Sequence, residues 1–128
     1  MNALLAVPST APGGLSAPPS AHFGHCDVFT LVELREGRID GAKVLPAPDH
    51  EHGGCLVPVA LLAKAGVTAI ATVGMGRRPL AGFLQSGINP FFAAGYGTVA
   101  EVASAFAEGR LRPFGTDNAC VGNDACST

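Results

Sequence analysis

Between Val67 and Val73 the chain reads Val-Thr-Ala-Ile-Ala-Thr-Val, β-branched and apolar without a polar residue at every second place. A strand with one wet face alternates with a period of two, so a run that does not alternate predicts a central strand covered on both faces. The rest of the chain supplies its neighbours. Ala3 to Val7 reads as a first strand, and Asp27 to Glu33 followed by Ile39 to Leu45, across the turn Arg35-Glu36-Gly37-Arg38, as a β-hairpin. Leu56 to Ala65 reads as a helix, with Pro58 tolerated in its first turn and Gly66 as its stop. Pro79 to Gln85 predicts a second helix closed by Gly87, Ile88 to Ala93 a short strand, and Thr98 an N-cap with Glu101 at the capping-box position of a helix reaching about Glu108. That order predicts an α/β sandwich around a mixed five-stranded sheet whose parallel units cross over right-handedly. Residues 1–114 form one expected domain. The Pro/Gly/Ser-rich stretch from Pro8 to Ser20 is expected to be a long loop with little to bury, and 115–128, small and polar, a flexible tail.

With 128 residues, 48% of them hydrophobic, the chain can bury a core without covalent staples. Formal net charge is −2 and the 8 Lys and Arg are scattered, so no basic face offers the phosphate neutralisation that nucleic acid needs. The start lacks the basic region of a secretory signal, and no apolar run approaches the roughly 18 residues of a membrane span. The 4 cysteines are therefore expected as reduced thiols in the cytoplasm.

All 4 histidines fall in two short segments that each end in a cysteine: His22-Phe23-Gly24-His25-Cys26 and His50-Glu51-His52-Gly53-Gly54-Cys55. Imidazole nitrogen and thiolate sulfur are the donors that soft and borderline metals prefer, so His22, His25, Cys26, His50, His52 and Cys55 are candidate metal ligands. The plain alternative is two polar loops whose histidines cap helices or face water. Pro46-Ala47-Pro48 puts the second segment on a loop, and Cys55 at or just before a helix start. A third segment, Gly74-Met75-Gly76-Arg77-Arg78, leaves the carboxyl end of the central strand and opens a helix, where free N–H groups, the helix dipole and two guanidinium groups favour an anion. It reads equally as a tight strand-to-helix turn with solvated arginines, and Met75 as a thioether ligand or as packing. Cys120 and Cys126, close together near the end, are expected to be accessory or idle.

An anion site combined with soft donors suits a metal-sulfur cluster, which carries negative charge and takes thiolate, imidazole and hydrogen-bond donors. A phosphate ester would leave the His/Cys segments unexplained, and a simple zinc site the arginines. Structural zinc also favours paired C-x2-4-C halves, which are absent. A cysteine nucleophile is chemically possible at Cys26 or Cys55, but the acidic residues show no carboxylate constellation.

Ala6-Val7-Pro8-Ser9, His22-Phe23-Gly24, His52-Gly53 before a helix, Val67-Thr68-Ala69-Ile70 leading to Gly74-Met75-Gly76, Ser86-Gly87-Ile88 and the closing Thr98-Val99-Ala100-Glu101 occur in an order that resembles the dinitrogenase iron-molybdenum cofactor biosynthesis family. The resemblance covers about Ala3 to Phe114. It implies a ribonuclease-H-like three-layer α/β sandwich without nuclease activity, used to bind or carry metal-sulfur cofactors. It is strongest to the small stand-alone members, among them the orange protein, which holds a molybdenum-copper sulfide cluster. The resemblance also implies a cofactor role for His22, with Phe23, Gly24, Gly74, Met75, Gly76, Arg77 and Arg78 around the cofactor. The departures are the Pro/Gly-rich insertion before His22 and the cysteine-bearing tail.

The expected function is non-catalytic binding, for storage or delivery, of an anionic metal-sulfur cluster of Mo-Cu sulfide or Fe-Mo type. A protein that donates or accepts the cofactor is the expected partner. The alternative is a mononuclear zinc or copper protein with a trafficking or regulatory role.

Overall fold

The computed structural model describes residues 2–21, 23, 26–47 and 56–115. The chain runs β1 (Ala3–Ser9), β2 (Val28–Arg35), β3 (Arg38–Pro46), α1 (Leu56–Lys64), β4 (Ala69–Thr72), α2 (Arg77–Gln85), β5 (Asn89–Phe92), α3 (Val99–Ala107) and β6 (Arg112–Pro113). One mixed sheet takes the order β3-β2-β1-β4-β5-β6. β1, β4 and β5 are parallel neighbours, whereas β2 pairs antiparallel with β1, β3 with β2, and β6 with β5.

The sheet is covered on both faces. Ala6, Phe29, Leu31 and Ile70 point to the face where Val59 and Leu62 of α1 and Leu80 and Phe83 of α2 pack; Leu5, Val7, Val32 and Ala71 point to the other, under Val99, Val102 and Ala103 of α3. Leu5, Ala6 and Val7 in β1, like Ile70 and Ala71 in β4, are 0% exposed. Each fully buried Leu, Val or Ile contributes roughly 1.5–3 kcal/mol, so non-alternating runs are what a sheet sandwiched between helices selects.

Turn chemistry follows the residues. Glu36 (φ 52°) and Gly37 (φ 77°) both lie in the left-handed region, as a two-residue hairpin turn between twisted strands requires. The Glu36 N–H donates to Asn2 Oδ1 at 3.0 Å. Thr98 caps α3 by accepting from Glu101 N–H, while the Glu101 carboxylate accepts from Gly97 N–H at 2.8 Å. The Thr98 half is the cap expected from the spacing; the return bond reaches one residue further back than a capping box, to Gly97 instead of Thr98.

Three expectations are corrected. The sheet has six strands rather than five. β6 is two residues long, too short for any periodic signal, and forms because Phe114 is buried and its N–H donates to Pro90 O. α2 begins at Arg77, not Pro79; Pro79 occupies the third helical position, where an N–H has no intrahelical partner to lose. The stretch from Pro8 to Ser20 also buries more than expected. Ala17 is in the core beside α3, and Pro19 bridges to Ser9.

Candidate functional site

β1, β3, β4 and β5 all point the same way, because β3 is reversed twice relative to β1. Their carboxyl ends, Ser9, Pro46, Thr72 and Phe92, therefore share one edge of the sheet. The segments leaving that edge are 10–27, 47–55, 73–76 and 93–98, which include every His/Cys segment singled out above and the Gly74 turn. Of the candidate ligands, Cys26 lies within the described residues; His22, Gly24, His25, His50, His52 and Cys55 lie outside them, as do Cys120 and Cys126.

Phe23 joins two of the segments. Its N–H donates to Gly74 O at 2.9 Å, and Thr72 Oγ1 donates to the same oxygen at 3.2 Å. The Phe23 ring is buried against Phe29 and against Phe83 of α2. Met75 is 0% exposed in the same core cluster. The side chains of Phe23 and Met75 thus pack inward, and what the two motifs offer at the edge is their backbone and their flanking residues.

The third segment starts from the same place. Ala47 N–H donates to Asp27 O at 3.2 Å, so the chain leaves β3 beside Cys26 and Asp27 before entering 48–55. Cys26, Leu45 and Ala47 all pack against the α1/α2 core. Chain direction thus brings the end of β3, from which that segment departs, to the same edge as Ser9 and Thr72.

The other side of the edge is closed. Residues 10–20 fold back over it: Ala17 O accepts from Val99 N–H at 2.9 Å and Leu15 O from Ala100 N–H at 2.8 Å, which takes up the first donors of α3. This flap is held by Asp27, whose Oδ2 accepts from Ala11 N–H at 2.9 Å, and by a hydroxyl relay in which Gly14 N–H donates to Thr30 Oγ1. Ser9 Oγ spends its one hydrogen on Val7 O at 2.7 Å, so the 3.0 Å contact between the two hydroxyls is Thr30 donating to Ser9. Gly13, at φ +79°, passes so close to β2 and β3 that an added Cβ would stand 2.8 Å from Val28 Cγ2. Neither the Asp27 tie nor the flap was visible in the sequence; the clue available was an acidic residue directly after Cys26.

α2 meets the edge differently. Its N-cap, Gly76, has no side chain to cap the helix. Pro79 has no N–H, and Arg77 and Arg78 N–H have no partner within the helix. Both arginine side chains are exposed, and neither has an acidic partner among the described residues. The start of α2 therefore contributes positive potential to that edge.

Cys26 is half-buried there. Burial pushes its thiol up to about 12 from an ordinary 9.0, the neighbouring Asp27 charge adds to the rise, and backbone hydrogen bonds at Cys26 and Ser9 oppose it. At neutral pH it is a protonated thiol. Metal coordination would have to displace that proton.

The chain matches the dinitrogenase iron-molybdenum cofactor family over residues 1–109. It belongs to that family. An uncharacterised protein of Methanocaldococcus jannaschii, MJ0580, is 32% identical over 97 residues, covering 74% of this chain and 81% of the relative. The NMR structure of the Thermotoga protein TM1290 superposes with a TM-score of 0.73 at 26% identity, over 95% of this chain and 99% of that one. The apo form of the orange protein from Desulfovibrio gigas has the same fold, with a TM-score of 0.73 at 19% identity over 86% and 91% of the two chains. Membership connects the chain to metal-cluster cofactors. In this member of the cofactor family, the His-Phe-Gly and Gly-Met-Gly motifs meet through the Phe23 to Gly74 hydrogen bond.

Proposed function

We propose that this protein binds an anionic metal-sulfur cluster, molybdenum with copper or iron, and stores or carries it in the cytoplasm without catalysing a reaction. We read its helix-covered mixed sheet as the ribonuclease-H-like sandwich of cofactor carriers. The observation that carries the proposal is the 2.9 Å bond from Phe23 N–H to Gly74 O. It joins the segment bearing His22, His25 and Cys26 to the turn bearing Arg77 and Arg78, on the side of the edge where the chain enters the His50, His52 and Cys55 segment. The donor set suits the cargo chemically: soft nitrogen and sulfur ligands for the metals, helix N–H groups and guanidinium groups for the negative charge. The protonated Cys26 thiol speaks against a cysteine nucleophile, which needs a lowered rather than a raised pKa.

Elemental analysis, acid-labile sulfide and the visible spectrum of anaerobically purified protein test this. Molybdenum with copper or iron and sulfide in fixed ratio is the expected result. Zinc or copper alone, without sulfide, would replace the reading with a mononuclear site. The double variant His22→Ala, Cys26→Ala should lose the cluster while keeping its circular dichroism; unchanged metal content would refute the ligand assignment.

A further inference from the structure

Phe23 carries no atom that ligates a metal, yet it is firmly anchored. It is 2% exposed, its ring meets Phe83 of α2 edge-on at 5.2 Å and 80°, and it lies tilted against Phe29 of β2 at 5.6 Å and 37°. The same residue donates its N–H to Gly74 O, the carbonyl that also takes the Thr72 hydroxyl. One residue thus touches the turn that opens α2 through its backbone and the body of α2 through its ring. Phe83 lies six residues into the helix from Arg77, roughly 9 Å along its axis. Two fastenings that far apart constrain both the position and the tilt of the helix start relative to the segment.

We infer that Phe23 is a positioning residue: it fastens the chain three residues before Cys26 to the 74–78 turn and to α2, so that Cys26 and the start of α2 meet the cargo in a fixed relation. This rests on the cluster-binding reading above for its consequence, though the coupling itself is a property of the polypeptide alone. A packed aromatic contact specifies orientation in a way an aliphatic side chain does not, because ring edge and ring face carry opposite partial charge. Leucine at position 23 would fill part of the volume and lose the edge-on contact.

The test compares the wild type, Phe23→Leu, and Val102→Ala, a core change on the α3 face that is remote from this edge. In the apo proteins, backbone amide exchange at position 23 and at Leu80, whose N–H groups donate to Gly74 O and Gly76 O, should quicken by about tenfold in Phe23→Leu and not in Val102→Ala, each measured equally far below its own unfolding midpoint. Phe83→Leu, which removes the other half of the contact, should give the same pattern and serves if Phe23→Leu does not fold. Unchanged exchange in the Phe variants, or an equal change in Val102→Ala, overturns the coupling. The second arm titrates tetrathiomolybdate with copper(I), followed by visible absorption. Affinity should fall about tenfold or more in Phe23→Leu and stay within twofold of wild type in Val102→Ala. Retained affinity in Phe23→Leu alongside quickened exchange would overturn the positioning role. Failure of the wild type to take up the thiomolybdate would count against the cluster reading and leave the coupling to be decided by the exchange arm alone.

Discussion

At the scale of single residues, Cys26 shows how burial and function pull in opposite directions. Its thiol sits among apolar neighbours that favour the neutral form, beside a carboxylate that favours it further. The folded value of about 12 exceeds the ordinary 9.0 expected when unfolded. The stability contributed by the neutral thiol is therefore complete below about pH 9 and lost as the pH rises through about 12. Urea midpoints of wild type and Cys26→Ala, compared at about pH 7.5 and about pH 10.5, should show the wild type losing more on the alkaline side; a constant difference would contradict the burial argument. With the other cysteines replaced by serine, Cys26 should react with iodoacetamide on the order of 10- to 100-fold more slowly than a cysteine peptide at neutral pH. Metal uptake by the same thiol should release a proton and tighten as the pH rises.

At the scale of elements, the two helices that begin at the carboxyl edge after β4 and β5 are treated differently. α3 has its first donors taken by Ala17 and Leu15 carbonyls and a Thr98/Glu101 cap; α2 has a glycine N-cap, a proline in its first turn and two exposed arginines. α3 is finished as structure; α2, among the described residues, has no side-chain cap and no acidic partner for its two arginines. Thr98→Ala should cost about 1 kcal/mol of stability and leave cargo affinity unchanged, because the flap separates α3 from the α1/α2 side of the edge. Chemical denaturation and thiomolybdate titration on the same variant check both halves of that statement. A parallel loss of affinity would mean that the ligand lies across the edge rather than on one side of it.

At the scale of the whole molecule, a chain with net charge −2 binding an anionic cargo depends on local positive potential rather than on overall attraction. Replacing Arg77 and Arg78 together by Gln should weaken thiomolybdate binding several-fold and flatten its dependence on ionic strength, since exposed charges act through a screened field. An unchanged salt slope would remove the arginines from the site. β6, antiparallel to β5, runs away from the edge on which Ser9, Pro46, Thr72 and Phe92 end.

Much of the architecture was legible from residues alone, because periodicity and turn chemistry are set by neighbours a few positions apart. The non-alternating Val67 to Val73 run marked a doubly covered strand, the Thr98 and Glu101 spacing marked a helix cap, and Glu36-Gly37 marked the hairpin. The residue types of a soft-metal and anion site were equally visible. The arrangement of the segments that carry them was not, since it depends on strand order and direction: the double reversal that brings Pro46 to the same edge as Ser9, and the flap of residues 10–20 that covers the α3 side of that edge. Those are choices among ways of burying two sheet faces at once, and burial of that kind is decided by contacts between residues far apart in the chain. The His-Phe-Gly and Gly-Met-Gly motifs could be named from sequence, but only the tertiary structure shows that Phe23, packed between β2 and α2, fastens one to the other.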